Sequence, residues 1–280
     1  MANTLASDGM ELLIPYEEDQ LGAISKWMEK EPGVMNRALG VVLAPLLWLT
    51  QRLVPQAAIR AVLAAVNTTG RWFAGKGDVM RKGGVASIRE LRHKSLSVSD
   101  SVADSVQNWA ILIAGTEGAV TGLGGILTAP IDIPAILVIA TRTIHKVGLC
   151  YGYECESKED MEYVLGILAA SGANTMKEKL AALAALRAIQ VALARQTWKL
   201  MAQRAAQIQV GKEAAIVAVR NLAKQLGINL TKRRALAAIP IISAAIGGAV
   251  NAWYIRDVGW AARRAFQERW LVDNHKVMPA

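Results

Sequence analysis

Cysteine is scarce in this chain: Cys150 and Cys155 are the two among 280 residues. Their spacing lacks the second ligand pair of a zinc site, although His145 and Glu154 lie nearby. Two half-buried thiols are therefore expected, with no metal and no disulfide framework. Histidine is scarce too, limited to His93, His145 and His275. A histidine-centred mechanism has little to draw on, and no G-x-S-x-G, H-E-x-x-H, kinase or P-loop pattern supplies an alternative. No catalytic residue and no cofactor are assigned. Aromatic residues make up 5% of the chain against 53% hydrophobic residues in all. With no series of short alternating runs, those proportions argue against a sandwich and for an all-α, multi-helix bundle.

The beginning of the chain shows no basic segment leading into an apolar one, so the expected location is the cytoplasm or the cytoplasmic face of the inner membrane. Basic residues are missing altogether between Ser95 and Thr141, where the charges are Asp100, Asp104, Glu117 and Asp132. They are concentrated elsewhere. From Ala181 onward fifteen Lys or Arg face four acids, a net +11, so the overall +9 leaves −2 for the first 180 residues. A field of this kind favours anionic partners, either lipid headgroups or nucleic acid. Specific nucleic-acid binding is not expected, because no helix-turn-helix, zinc-finger or RNA-binding signature accompanies the charge.

Residues 1–16 read as a flexible arm, 17–272 as a single helical domain and 273–280 as a tail. A first short helix is stopped by Pro32 and Gly33, and the apolar segments after it are broken by Pro45 and Pro55. The stretch from Gly70 to Ser95 is polar and glycine-rich, and is expected to be a loop with one short helix. Two amphipathic helices follow Thr175, and the second is closed by Gly227.

Between Gly115 and Glu154 the glycines admit three readings. A phosphate cradle requires a G-x-G-x-x-G turn after a strand, which Gly118, Gly122, Gly124 and Gly125 do not provide. A close-packed helical hairpin suits them better, since Gly118 and Gly122 share one helix face and Gly247 and Gly248 give a second small-residue helix. A bilayer crossing is suggested by the 21 uncharged residues between Arg234 and Arg256. Pro240, Asn251 and the basic clusters at both ends argue against it. Asp132 ahead of Pro134 suits a helix start. Glu117, Asp132, Arg142 and Asn251 are the polar residues of this apolar block, and a network locking the helices in register is their expected role.

On the last helix, Tyr254, Ile255, Val258, Ala262, Ala265 and Phe266 fall on one face. Trp253 and Trp260 lie among Arg256, Arg263 and Arg264 on the other. Tryptophan among arginines marks a lipid interface or a partner's pocket, or else indoles packed within the protein under a guanidinium.

Glu117, Gly118, Gly124, Gly125, Asp132, Pro134, Arg142, Tyr151 and Gly152, with Pro240, Gly247, Asn251, Ala262 and Phe266 in a second block, resemble the signature of the bacterial EcsC-like family. The resemblance runs from about Tyr16 to Leu271. It implies a genomic setting beside an ABC transporter and no established activity. The expected function is thus non-catalytic association with an anionic membrane surface or a membrane transport complex, through Trp253, Arg256, Trp260, Arg263 and Arg264. The alternative is a soluble helical protein that binds a lipid or other apolar ligand between the glycine-rich helices.

Overall fold

The computed structural model describes residues 11–32, 64–65, 67–121, 135–173, 175–202 and 245–278. Side chains are described at these positions except 109–121, 135–136, 194–202 and 245–251. The described residues are helical and contain no strand, as the composition predicts. Helix α1 is Pro15–Glu29, with Pro15 in its first turn and the Glu17 carboxylate accepting from the Ile14 amide at 3.1 Å. After a helical stretch at 67–72 come α2 (Lys76–Gly83) and a 3-10 turn (Ile88–His93). The longer elements are α3 (Leu96–Thr121), α4 (Ala135–Cys150), α5 (Lys158–Ser171), α6 (Met176–Ala202) and α7 (Ala245–Asp273). The Gly70–Ser95 stretch thus holds more regular structure than one short helix in a loop.

Helix α7 is the axis of the bundle. It packs most extensively on α3, then on α4, and also touches α5, α1 and α6. Its apolar face is the one the periodicity predicts: Tyr254, Ile255, Val258, Ala262, Ala265 and Phe266 are all buried. The opposite face is not left to solvent, because Gln267 and Arg263 are buried as well, while Arg269 is buried within the apolar face itself. Around Phe266 the rings of Tyr151, Tyr153 and Tyr163 converge, with centroids 6.4, 5.7 and 5.5 Å away. Aromatic rings bury large apolar areas and gain further from offset and edge-on contacts, so this cluster anchors the core.

Small residues do let α7 approach its neighbours. A Cβ on Gly148 of α4 would come within 2.7 Å of Phe266, and one on Gly259 of α7 within 2.9 Å of Gln107 on α3. These are not the glycines singled out by sequence. Gly118 lies in α3, and Gly247 and Gly248 lie in the first turn of α7. Gly122, Gly124 and Gly125 fall outside the described residues, as do Asp132 and the second amphipathic helix expected after α6.

Local chemistry explains the helix ends. Ser157 caps α5: its hydroxyl accepts from the Asp160 amide at 3.0 Å, while Asp160 accepts from the Ser157 amide at 3.2 Å. That reciprocal pair satisfies two amides that would otherwise be orphaned. At the end of α1, the Lys179 ammonium donates to the carbonyls of Trp27 and Lys30. A cation at a helix C-terminus also meets the negative end of the dipole. Residues 11–16, at the end of the expected arm, are tied to the tail: the Glu11 amide donates to the His275 carbonyl at 3.1 Å and Lys276 to the Leu12 carbonyl at 3.1 Å.

Candidate functional site

Three groups of polar and aromatic side chains surround α7. The first is centred on Asp100, which is 2% exposed. Gln267 donates to both of its oxygens, at 2.7 and 2.9 Å, and the Tyr16 hydroxyl donates at 2.7 Å. The Tyr151 hydroxyl donates to it as well, and Arg263 Nε lies 3.4 Å away. The guanidinium of Arg263 spans both oxygens of Asp104. Burial works against the Arg263 charge, but Tyr151, Asp100 and Asp104 outweigh it and hold its pKa above the usual guanidinium range. Burial and then the Asp100 bond push the Tyr16 hydroxyl well up. A carboxylate with this many donors on it lacks the open side that a general base would present to a substrate. The group joins α1, α3, α7 and the turn that follows α4.

The second group lies one turn further along α7. Arg269 donates to Asp160 at 2.8 Å, and the Tyr153 hydroxyl donates to Asp273 at 2.9 Å. The Tyr153 ring is held between the guanidiniums of Arg92 and Arg269, at 4.5 and 4.1 Å. Burial disfavours ionised Asp160, yet Arg269 and Ser157 together hold its pKa below the ordinary carboxylate range. Buried charges of this kind persist because they are paired and hydrogen-bonded.

The third group is at the surface. Trp260 is 38% exposed, with the guanidiniums of Arg263 and Arg264 5.2 and 5.1 Å from its ring centroid. Arg256, one turn earlier, is exposed and lies 3.9 Å from Asp257. Arg264 is half-buried and donates to Gln20 at 2.9 Å and Gln267 at 2.8 Å. Trp253 is half-buried against the core. The five residues singled out on this helix are therefore divided: Trp260 and Arg256 face solvent, while Arg263 is buried and paired with the buried Asp100 and the exposed Asp104.

Of the polar residues named from sequence, Arg142 lies half-buried on α4. The side chains of Glu117 and Asn251 lie outside the described residues, although their backbones belong to α3 and α7. The described network around Asp100 had a signal in the sequence. Asp100 and Asp104 are four apart on an acidic helix, and Arg263 and Gln267 are four apart on a basic one, which places each pair on a single face. His145 is buried, and its Nε2 lies 2.7 Å from Asn67 Oδ1. The Asn67 amide donates to the Met161 carbonyl at 3.0 Å, so its oxygen is the atom left to accept and Nε2 carries the proton. Burial, followed by the charge of Arg71, lowers the His145 pKa to about 4.

The expectation of half-buried thiols is corrected. Cys150 and Cys155 are fully buried, and burial pushes both up to about 12. No group of three or more His, Cys, Asp or Glu suited to a metal ion occurs among the described residues. Among those residues, too, no helix is long and apolar enough to cross a membrane.

Residues 18–271 match the sequence model of the EcsC protein family. The uncharacterized protein YdbA of Bacillus subtilis (strain 168) is 28% identical over 93 residues, which are 33% of this chain and 34% of that protein. The chain thus covers about a third of the length of that curated relative. No solved structure matches significantly.

Proposed function

We propose that this chain, which belongs to the EcsC protein family, is a non-catalytic helical protein that docks peripherally on an anionic membrane surface through the Trp260 end of α7. The cytoplasmic face, beside a membrane transport complex, is the setting this reading assigns to it. The observation that carries the proposal is Trp260, an indole left 38% exposed between two guanidiniums with the exposed Arg256 beside it. Indole rings settle where one side is apolar and the other wet, and arginines nearby attract lipid phosphates. The donors crowded on Asp100 support a non-catalytic role, since its lone pairs serve the fold.

Co-sedimentation of the full-length chain with vesicles of phosphatidylglycerol and phosphatidylcholine, beside phosphatidylcholine alone, tests the proposal. The expected result is binding to the anionic vesicles that weakens with added salt and weakens again when Trp260→Ala is combined with Arg256→Ala. A folded protein that stays in the supernatant with both vesicle types overturns it.

A further inference from the structure

We infer that Trp72 and Phe73, presented by the basic segment 67–94, form a membrane-inserting contact for anionic lipid, separate from the Trp260 end of α7. The inference rests on the membrane-surface reading and names the element that enters the headgroup layer. Trp72 is 83% exposed and Phe73 55%, and the two rings meet edge to face with centroids 6.2 Å apart. Two large adjacent rings turned into water expose apolar area that a folded chain ordinarily covers.

Their mounting is rigid. Asn67, at the base of the same helical stretch, is held by His145 and by the Met161 carbonyl. Gly70 lies directly on α4, where a Cβ would overlap the Thr141 hydroxyl and come within 2.7 Å of the Arg142 amide. Ala74, the next residue after the pair, is buried, and its amide closes the turn on the Arg71 carbonyl at 3.1 Å. Lys76 then pins the following helix to Glu154 at 2.6 Å. Each neighbour of the two rings is therefore fixed to the bundle while the rings themselves point away from it.

Charge identifies the occupant. Between residues 67 and 94 there are seven Lys or Arg, against Asp78 and Glu90. Two further carboxylates, Glu154 and Glu156, reach the segment from the turn after α4. Seven cations against four carboxylates leave an excess of three. Asp78 is shared among Lys146, Arg81 and Lys82, and Lys76, Arg81, Lys82, Arg89 and Lys94 are all exposed. Lysines and arginines on the segment that carries an exposed aromatic pair match an anionic bilayer: the rings enter the acyl boundary and the cations remain at the phosphates.

Two variants of the full chain test this against the same phosphatidylglycerol and phosphatidylcholine vesicles. Trp72→Ala combined with Phe73→Ala is expected to weaken partitioning onto anionic vesicles by about tenfold or more, from the lost apolar burial. Phe73→Cys, labelled with an environment-sensitive dye, is expected to shift to the blue on those vesicles; the buried Cys150 and Cys155 thiols leave the new cysteine as the site of labelling. If the wild-type chain binds but the double variant binds equally and the dye stays in water, the inference falls while the membrane reading stands. If the wild-type chain ignores both vesicles, both fall. A double variant that turns a dimer into a monomer without changing vesicle binding assigns the pair to contact between copies and overturns the inference.

Discussion

The two phenylalanines of this chain stand in opposite surroundings. Phe266 is fully buried, enclosed by three tyrosines, and Phe73 is 55% exposed beside a tryptophan. Arginine or lysine lies within three residues of both in sequence, Arg264 and Arg269 beside Phe266, Arg71 and Lys76 beside Phe73. The difference is in the carboxylates. Around Phe266 the buried cations have them, Arg263 with Asp100 and Asp104, Arg269 with Asp160 and Asp273. Around Phe73 the cations outnumber them. Aromatic residues with cations nearby in sequence thus occur in the interior and at the surface, and the balance of cations and carboxylates differs between these two regions.

Removing an interior cation should have the largest effect. Arg269→Ala leaves the half-buried Asp160 without its ion pair and is expected to lower stability by about 3 kcal/mol or more in urea unfolding. A loss below about 1 kcal/mol would break the comparison. Asp100→Ala removes the acceptor shared by Gln267, Tyr16 and Tyr151, leaving Arg263 to Asp104 alone, and should cost about 3 kcal/mol by the same measurement. Gly148→Ala probes the packing of Phe266 itself: with three tyrosines about it the ring has little freedom to yield, and about 2 kcal/mol is expected. An unchanged urea midpoint would show that the core around Phe266 is looser than its burial implies.

The pH dependence of His145 sharpens the contrast between interior and surface. Its folded pKa is about 4, below the ordinary 6.5, so as pH falls the unfolded chain takes up a proton before the folded one does. Stability from this group is complete above about pH 6.5 and is lost progressively toward pH 4. Unfolding free energies at pH 7 and 4.5 should differ by roughly 2 kcal/mol more in the wild-type chain than in His145→Gln. Equal slopes would mean that the imidazole is reached by water. The smallest effect is expected at the surface, where Trp72→Ala with Phe73→Ala should change stability by less than about 0.5 kcal/mol. A larger loss would place those rings in the fold and remove the contrast with Phe266.

Much of the fold was legible in the residue pattern. The apolar stripe from Tyr254 to Phe266 follows helical spacing and is buried. Less of the candidate site was legible. Tryptophan among arginines left interface and interior open; Trp260 is partly exposed, while Trp253 packs on the core and Arg263 is buried. The Gly70–Ser95 stretch read as polar linker because charge hides the pair at Trp72 and Phe73.

Composition and periodicity were enough to determine helical structure with Phe266 and its neighbours inward, because a helix face is a property of spacing along one segment. Whether a charged residue faces water or a partner depends on segments far away in sequence. Asp100 meets Gln267 across 167 positions and Tyr16 across 84. Only the packing of α1, α3 and α7 brings those groups within a hydrogen bond, so only the tertiary structure decided which arginines were consumed by the fold and which aromatic rings remained outside it.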